Sequence, residues 1–105
     1  MSPLYITENG AYFDDVLSAD GKIHDANRVA FLEGYIKAME EAREHGVDIR
    51  GYFVWSLMDN FEWAAGHRPT FGLVKVDFNT QKRTPKDSFF WYRDFILHKE
   101  NLNRK

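Results

Sequence analysis

A glutamate closes the short segment Leu4-Tyr5-Ile6-Thr7-Glu8 and is followed at once by Asn9-Gly10. A second concentration of polar and aromatic groups is Trp55-Ser56-Leu57-Met58-Asp59-Asn60-Phe61-Glu62-Trp63, where two indoles flank Asp, Asn and Glu. In retaining glycoside hydrolysis an ionised carboxylate attacks the anomeric carbon, while a second carboxyl about 5–5.5 Å away protonates the leaving oxygen. Staying ionised requires positive or hydrogen-bonding neighbours. Indole faces beside carboxylates suit a flat-faced polar ligand such as a sugar ring. Plainer roles fit the same residues: Glu8 solvated in an Asn-Gly turn, Trp55 and Trp63 in a core, Asp59 and Asn60 capping a turn.

Other chemistries find no support. His24, His45, His67 and His98 lack metal-ligand spacing, and no H-E-x-x-H occurs. Ser56 lacks the G-x-S-x-G elbow and reads as strand packing. Asp14, Asp15 and Asp20 do not fit a calcium loop and read as loop charges. No glycine-rich phosphate loop appears, and no metal or cofactor is expected.

The elements that must hold these residues follow from periodicity. Residues 4–8 are β-prone and bounded by Pro3 and Asn9-Gly10, which predicts a strand with Glu8 at its end. Residues 11–24 predict a long loop, a length that often marks function. Over residues 25–45 the spacing of Val29, Leu32, Ile36 and Met39 predicts an amphipathic helix. Asp25 is its expected cap, and Gly46 the left-handed residue beyond its end. Gly34, mid-helix, suggests a close approach there. Residues 51–57 predict a second, buried strand, giving a βαβ unit with parallel strands. Phe71 to Phe78 reads as a short extra strand with its turn at Asn79-Thr80. Thr84-Pro85-Lys86-Asp87 then predicts the start of a helix over residues 85–98.

Glu8 and the Trp55–Trp63 stretch therefore both fall at carboxyl ends of parallel strands, where α/β folds build their sites. Two parallel strands with two helices make a poor isolated domain, since both sheet edges lack partners and one face needs cover.

Composition narrows the class. The 105 residues are 44% hydrophobic and 16% aromatic, which argues for a packed core and against disorder. A net charge of −2 and an isoelectric point near 6.1 imply no nucleic-acid surface. No apolar run approaches the roughly 18 residues of a membrane span. The absence of cysteine excludes disulfides and thiolate metal sites. No signal-peptide pattern is visible either, and the cytoplasm is the favoured compartment. Met1-Ser2-Pro3 directly before a strand suggests a truncated chain, with residues 1–105 making no complete domain.

Taken together, the motifs resemble the C-terminal part of family 1 glycoside hydrolases, the β-glucosidase family. The likeness is carried by Ile6-Thr7-Glu8-Asn9-Gly10, by residues Arg50 to Trp63, by Phe71-Gly72-Leu73-Val74 with Val76-Asp77, and by Gln81 to Ser88. It runs from about Pro3 to Ile96.

The resemblance implies a (β/α)8 barrel of which this chain supplies the seventh and eighth βα units. It implies Glu8 as nucleophile, Trp55 stacked under the sugar, Glu62 on the 4- and 6-hydroxyls, Trp63 on the 3-hydroxyl and Phe71 as an apolar wall near C6. An acid at Glu62 would repel a 6-phosphate, so the implied substrates are free β-glucosides or short cello-oligosaccharides. His67 and Thr70 stand where the family usually has an aromatic residue and an arginine, which bears on leaving-group preference. No T-x-N-E-P segment, the family's acid/base site, occurs in the chain. The isolated chain is therefore expected to be nearly inactive. Its expected partner is the N-terminal part of the barrel or further copies of itself. The rival expectations are a self-assembling quarter-barrel and a non-catalytic sugar-binding piece.

Overall fold

A computed structural model describes residues 2–60 and 70–103. The element order is β1 (Leu4–Asn9), α1 (Ala26–Glu44), β2 (Ile49–Val54), β3 (Val74–Val76), β4 (Arg83–Pro85) and α2 (Asp87–Asn103). β1 and β2 pair in parallel, with Tyr5 opposite Gly51, Ile6 opposite Tyr52 and Asn9 opposite Val54. The expected βαβ unit is present, with α1 as its crossover.

α1 ends where its glycine allows. Gly46 adopts φ +98°, and the N–H groups of Gly46 and Val47 donate to the Arg43 and Ala42 carbonyls, each at 3.1 Å, closing the last turn. The buried side of α1 is Arg28, Leu32 and Ile36, a strict spacing of four that begins with an arginine. Val29 and Met39, expected on that face, are only half-buried. Gly34 faces open space, so its expected close approach does not occur.

Three boundaries differ from expectation, each for a reason of hydrogen bonding. β2 stops at Val54 rather than 57, because the carbonyls of Ser56 and Leu57 turn away to accept the N–H groups of Leu73 and Val74. The expected extra strand over residues 71–78 shrinks to β3, which pairs antiparallel with β4. Thr84 and Pro85, read as a helix start, are strand residues; Pro85 lacks an N–H and sits at the strand end, opposite Val74. α2 therefore begins at Asp87.

The cap of α2 comes from far away in sequence. Asp25 makes no side-chain cap to its own helix α1. Its carboxylate instead accepts Ser88 N–H at 2.8 Å and the Ser88 hydroxyl, closing the first turn of α2 from 63 residues away. Arg28 Nη1 donates to the same carboxylate at 2.6 Å.

Asp25 and Arg28 belong to a buried ionic cluster that the sequence reading did not anticipate. Asp15, expected as a loop charge, accepts Arg28 Nη1 at 2.9 Å, Lys86 Nζ at 2.7 Å and the Thr70 hydroxyl at 2.8 Å. Lys86, fully buried, also donates to Asp59 at 2.8 Å and to the Gly72 carbonyl at 2.6 Å. Arg28 Nη2 donates to the Thr70 carbonyl at 2.8 Å, and its guanidinium lies 5.2 Å from the Phe13 ring centre. Burial pushes the Asp15 carboxyl up, but hydrogen bonds from Arg28, Lys86 and Thr70 outweigh it and hold it below its ordinary value of 3.8.

Around this polar centre the apolar core is small: Ile23, Leu32, Ile36, Leu73 and Val74. Many large apolar side chains stay exposed, including Leu4 and Tyr5 of β1, Phe53 of β2, and Ile96 and Leu97 of α2. Exposed apolar groups along an unclosed parallel sheet are what a piece of a larger layer presents. Among the described residues no helix is long and apolar enough to cross a membrane.

Removing one partner from a buried ion pair strands the other charge, which typically costs about 3–5 kcal/mol. Asp25→Ala leaves Arg28 with Asp15 alone and the Ser88 amide and hydroxyl without their acceptor, and is expected to lose about 3 kcal/mol in urea denaturation. Asp48→Ala, which breaks an exposed pair with Arg50, is expected to lose less than about 1 kcal/mol. Asp15 also sets a pH dependence. A carboxyl held below 3.8 adds stability above that pH, and the gain disappears as pH falls through its lower folded value. The stability gap between wild type and Asp15→Asn is therefore expected to narrow below pH 3.8, read from urea midpoints across an acid series.

Candidate active site

The parallel pairing of β1 and β2 brings two of the sequence-predicted site residues to one end of the sheet. Glu8 lies next to the end of β1, exposed, and Trp55 follows the last residue of β2. Trp55 N–H donates to the Asn9 carbonyl at 3.0 Å, continuing the ladder one step past the strand. Phe71, on the segment leading into β3, completes the group. Glu8, Asn9, Gly10, Trp55 and Phe71 line one open cleft of about 310 Å³.

Close packing sets the floor of that cleft. A Cβ at Gly10 would lie 1.8 Å from the Trp55 carbonyl oxygen, so only glycine lets the chain leave β1 there. The Tyr52 hydroxyl donates to Asn9 Oδ1 at 2.7 Å and ties that amide back against β2. Burial, with Tyr92 nearby, pushes the Tyr52 phenol up to about 12, so the hydroxyl remains a donor. The Trp55–Ser56 peptide bond is cis. Trp55 is 38% exposed, so its indole is not a core group. The Phe71 ring meets the exposed Tyr12 ring edge-on, with centres 5.2 Å apart.

The remaining members of the aromatic–acidic stretch divide. Asn60 serves the turn, its amide donating to the Ser56 hydroxyl at 3.3 Å. Asp59 does more than cap a turn: 6% exposed, it accepts Lys86 Nζ and the Gly72 N–H, the latter at 3.0 Å. Thr70, expected near the entrance, anchors Asp15 through its hydroxyl. Glu62, Trp63 and His67 lie outside the described residues.

Sequence reasoning missed Arg28, Lys86, Asp15 and Asp25 as a unit. One signal was available, since Arg28 stands in register with Leu32 and Ile36 on the buried stripe of α1.

Glu8 is the only carboxylate among the described residues lining the cleft. An accessible carboxylate, an indole face and a phenyl wall can bind a hydroxylated ring and present one oxygen nucleophile to it. Among the described residues no group of three or more His, Asp or Glu is placed to hold a metal ion. The close approach at Gly10 is testable. Gly10→Ala must push Trp55 and the end of β1 apart, at a cost of about 1–3 kcal/mol in thermal denaturation. A shift of the Trp55 indole resonance should accompany it.

The family model for Glycosyl hydrolase family 1 matches residues 1–101. The 1,4-beta-D-glucan glucohydrolase of Thermotoga neapolitana is 57% identical over 93 residues, covering 89% of this chain and 21% of the relative. Beta-glucosidase A of Thermotoga maritima is 55% identical over 93 residues, with 89% and 21% covered. The solved structure of the Thermotoga maritima beta-glucosidase in complex with galacto-hydroximolactam superposes with a TM-score of 0.87 at 54% identity. It covers 90% of this chain and 22% of that one. The same enzyme in complex with deoxynojirimycin gives the same values. This chain thus spans about a fifth of the length of the curated relatives it matches. The chain belongs to glycosyl hydrolase family 1 and corresponds to a portion of a β-glucosidase barrel.

Proposed function

We propose that this chain is the nucleophile-bearing part of a retaining β-glucosidase, supplying the seventh and eighth βα units of its barrel. The observation that carries the reading is the cleft that joins Glu8, Trp55 and Phe71 at the carboxyl ends of β1 and β2. Glu8 attacks C1 of a terminal β-D-glucoside and forms a glycosyl ester; water then releases glucose with net retention. Trp55 stacks under the ring, and Phe71 walls the C6 side. Glu62 accepts hydrogen bonds from the 4- and 6-hydroxyls and Trp63 donates to the 3-hydroxyl. A carboxylate at Glu62 disfavours a 6-phosphate, which leaves free β-glucosides and short cello-oligosaccharides as the substrate class.

The general acid is a carboxyl from another part of the barrel, since this chain contains no T-x-N-E-P segment. The apolar surface exposed on β1, β2 and α2 supports docking with that part. General acid–base assistance is worth roughly 10²–10⁴-fold, and the rest of the sugar site adds to it. Alone, the chain is expected to turn over a chromogenic β-glucoside at least that much more slowly than a complete family 1 β-glucosidase.

Nucleophile and acid can be separated by the leaving group. In 2,4-dinitrophenyl 2-deoxy-2-fluoro-β-D-glucoside the dinitrophenolate departs with its electron pair and needs no proton. Attack by a Glu8 carboxylate oxygen at C1 would leave a fluoroglucosyl ester on that residue. Mass spectrometry of the treated full chain is expected to find the adduct on the peptide containing Glu8 and to lose it in Glu8→Gln. An adduct on another residue, or one that survives the substitution, would mean the nucleophile is elsewhere.

A further inference from the structure

The ammonium of Lys86 sits where both loops of the cleft meet. Its backbone carbonyl accepts the N–H groups of Phe89 and Phe90, opening α2, while its side chain runs back beneath the site. Nζ has three N–H donors and three acceptors, and each acceptor comes from a different stretch of chain. Asp15 belongs to the β1–α1 loop, Asp59 to the segment after β2, and Gly72 to the segment before β3.

Gly72 is the link to the cleft, because it directly follows Phe71. Its N–H donates to Asp59 Oδ1 at 3.0 Å, and its carbonyl accepts Lys86 Nζ at 2.6 Å. Both polar groups of one peptide residue are thus held by one carboxylate–ammonium pair. No slack surrounds it: a Cβ at Gly72 would lie 2.3 Å from the Asp59 nitrogen. Asp59 is fixed in turn, its N–H donating to the Val74 carbonyl at 3.0 Å, while the Ser56 carbonyl accepts Leu73 N–H at 3.1 Å. The segment that begins at Trp55 and the segment that carries Phe71 therefore share one anchor. On the far side, Asp15 and Thr70 tie the loop of Tyr12 to the same point, and the Tyr12 ring meets Phe71.

We propose that Lys86 is a positioning residue for the cleft, acting through Gly72 and Asp59 on Phe71 and through Asp15 on the Tyr12 loop. It never touches the substrate. Its part is to hold the apolar wall against the Trp55 face, since a site displaced by about 1 Å can lose on the order of 10²-fold. This rests on the reading of the cleft as a sugar site, while the placement of Phe71 is a separate observable.

The full chain has no cysteine of its own, so Lys86→Cys can be alkylated at that position alone. Treatment with 2-bromoethylamine in denaturant, then refolding, replaces one methylene by sulfur and restores an ammonium of nearly the same reach. Three readouts are taken: far-UV circular dichroism for the fold, the ring-to-ring NOE between Tyr12 and Phe71, and quenching of tryptophan fluorescence by glucono-δ-lactone. Wild type and the aminoethylated chain are expected to keep the NOE. Unmodified Lys86→Cys and Lys86→Met are expected to lose it and to bind the lactone roughly tenfold more weakly, with the circular dichroism retained.

Where those variants do not fold, Lys86→Arg carries the test. A planar guanidinium keeps the charge but cannot aim at three divergent acceptors, so the NOE should still be lost. A folded Lys86→Met or Lys86→Arg chain with wild-type NOE and lactone response would overturn the proposal, as would aminoethylation that fails to restore the NOE. Wild-type chain that ignores the lactone would count against the sugar-site reading, and the NOE comparison would still decide the role of Lys86.

Discussion

A lysine ammonium cannot stay buried unless every N–H finds an acceptor and its charge is matched, and that constraint governs how this chain packs. Lys86 meets it with Asp15, Asp59 and the Gly72 carbonyl. Satisfying one ammonium thereby fixes the β1–α1 loop, the turn after β2 and the approach to β3 relative to the start of α2. A purely apolar centre of the same volume would hold the elements together without dictating which backbone group meets which. Directional hydrogen bonds do dictate it, and that suits a place where a carboxylate, an indole and a phenyl ring must share one cleft.

The second half of the cluster works on the helices. Asp25 stands before α1 yet caps α2, and Arg28, in the first turn of α1, donates to both Asp25 and Asp15. The cations are outnumbered by carboxylates, Lys86 and Arg28 against Asp15, Asp25 and Asp59, so hydrogen bonds must support the remaining charge. Ser88 and Thr70 supply hydroxyl donors to it, and the amides of Ser88 and Gly72 complete the set. His24, exposed above the cluster, links Asp20 to Asp87 at 2.8 Å through its two ring nitrogens. Hydrogen bonds to those carboxylates push its pKa above 6.5, so its contribution is present below that pH and is lost as pH rises through the higher folded value.

Polar order at the carboxyl end of the sheet contrasts with apolar exposure elsewhere. Leu4, Tyr5 and Phe53 on the strands, with Ile96 and Leu97 on α2, have the character of core residues without a core around them. A βαβ unit buries one face of two strands at most, and the rest needs further strands and helices. The match to about a fifth of family 1 β-glucosidases agrees with that geometry. Cleft and exposed faces describe the same situation: the loops beside the cleft are tied together by buried ion pairs, while the sheet is not closed.

Read alone, the sequence determined the parallel βαβ unit, the helix ending at Gly46 and the placing of Glu8 and Trp55 at strand ends. Those features rest on local periodicity and on residues with restricted backbone choices. The motifs from Ile6 to Ser88 also carried the family. Asp59 read as a turn cap, Asp15 as a loop charge and Thr84-Pro85 as a helix start, because each role is locally plausible for its residue type. Only the tertiary structure decided otherwise. It brought Asp25 within 2.8 Å of an amide 63 residues away and set Lys86 among three segments distant in sequence. A buried charge is stable only where its partners converge, and convergence is a property of the folded chain that no local pattern encodes.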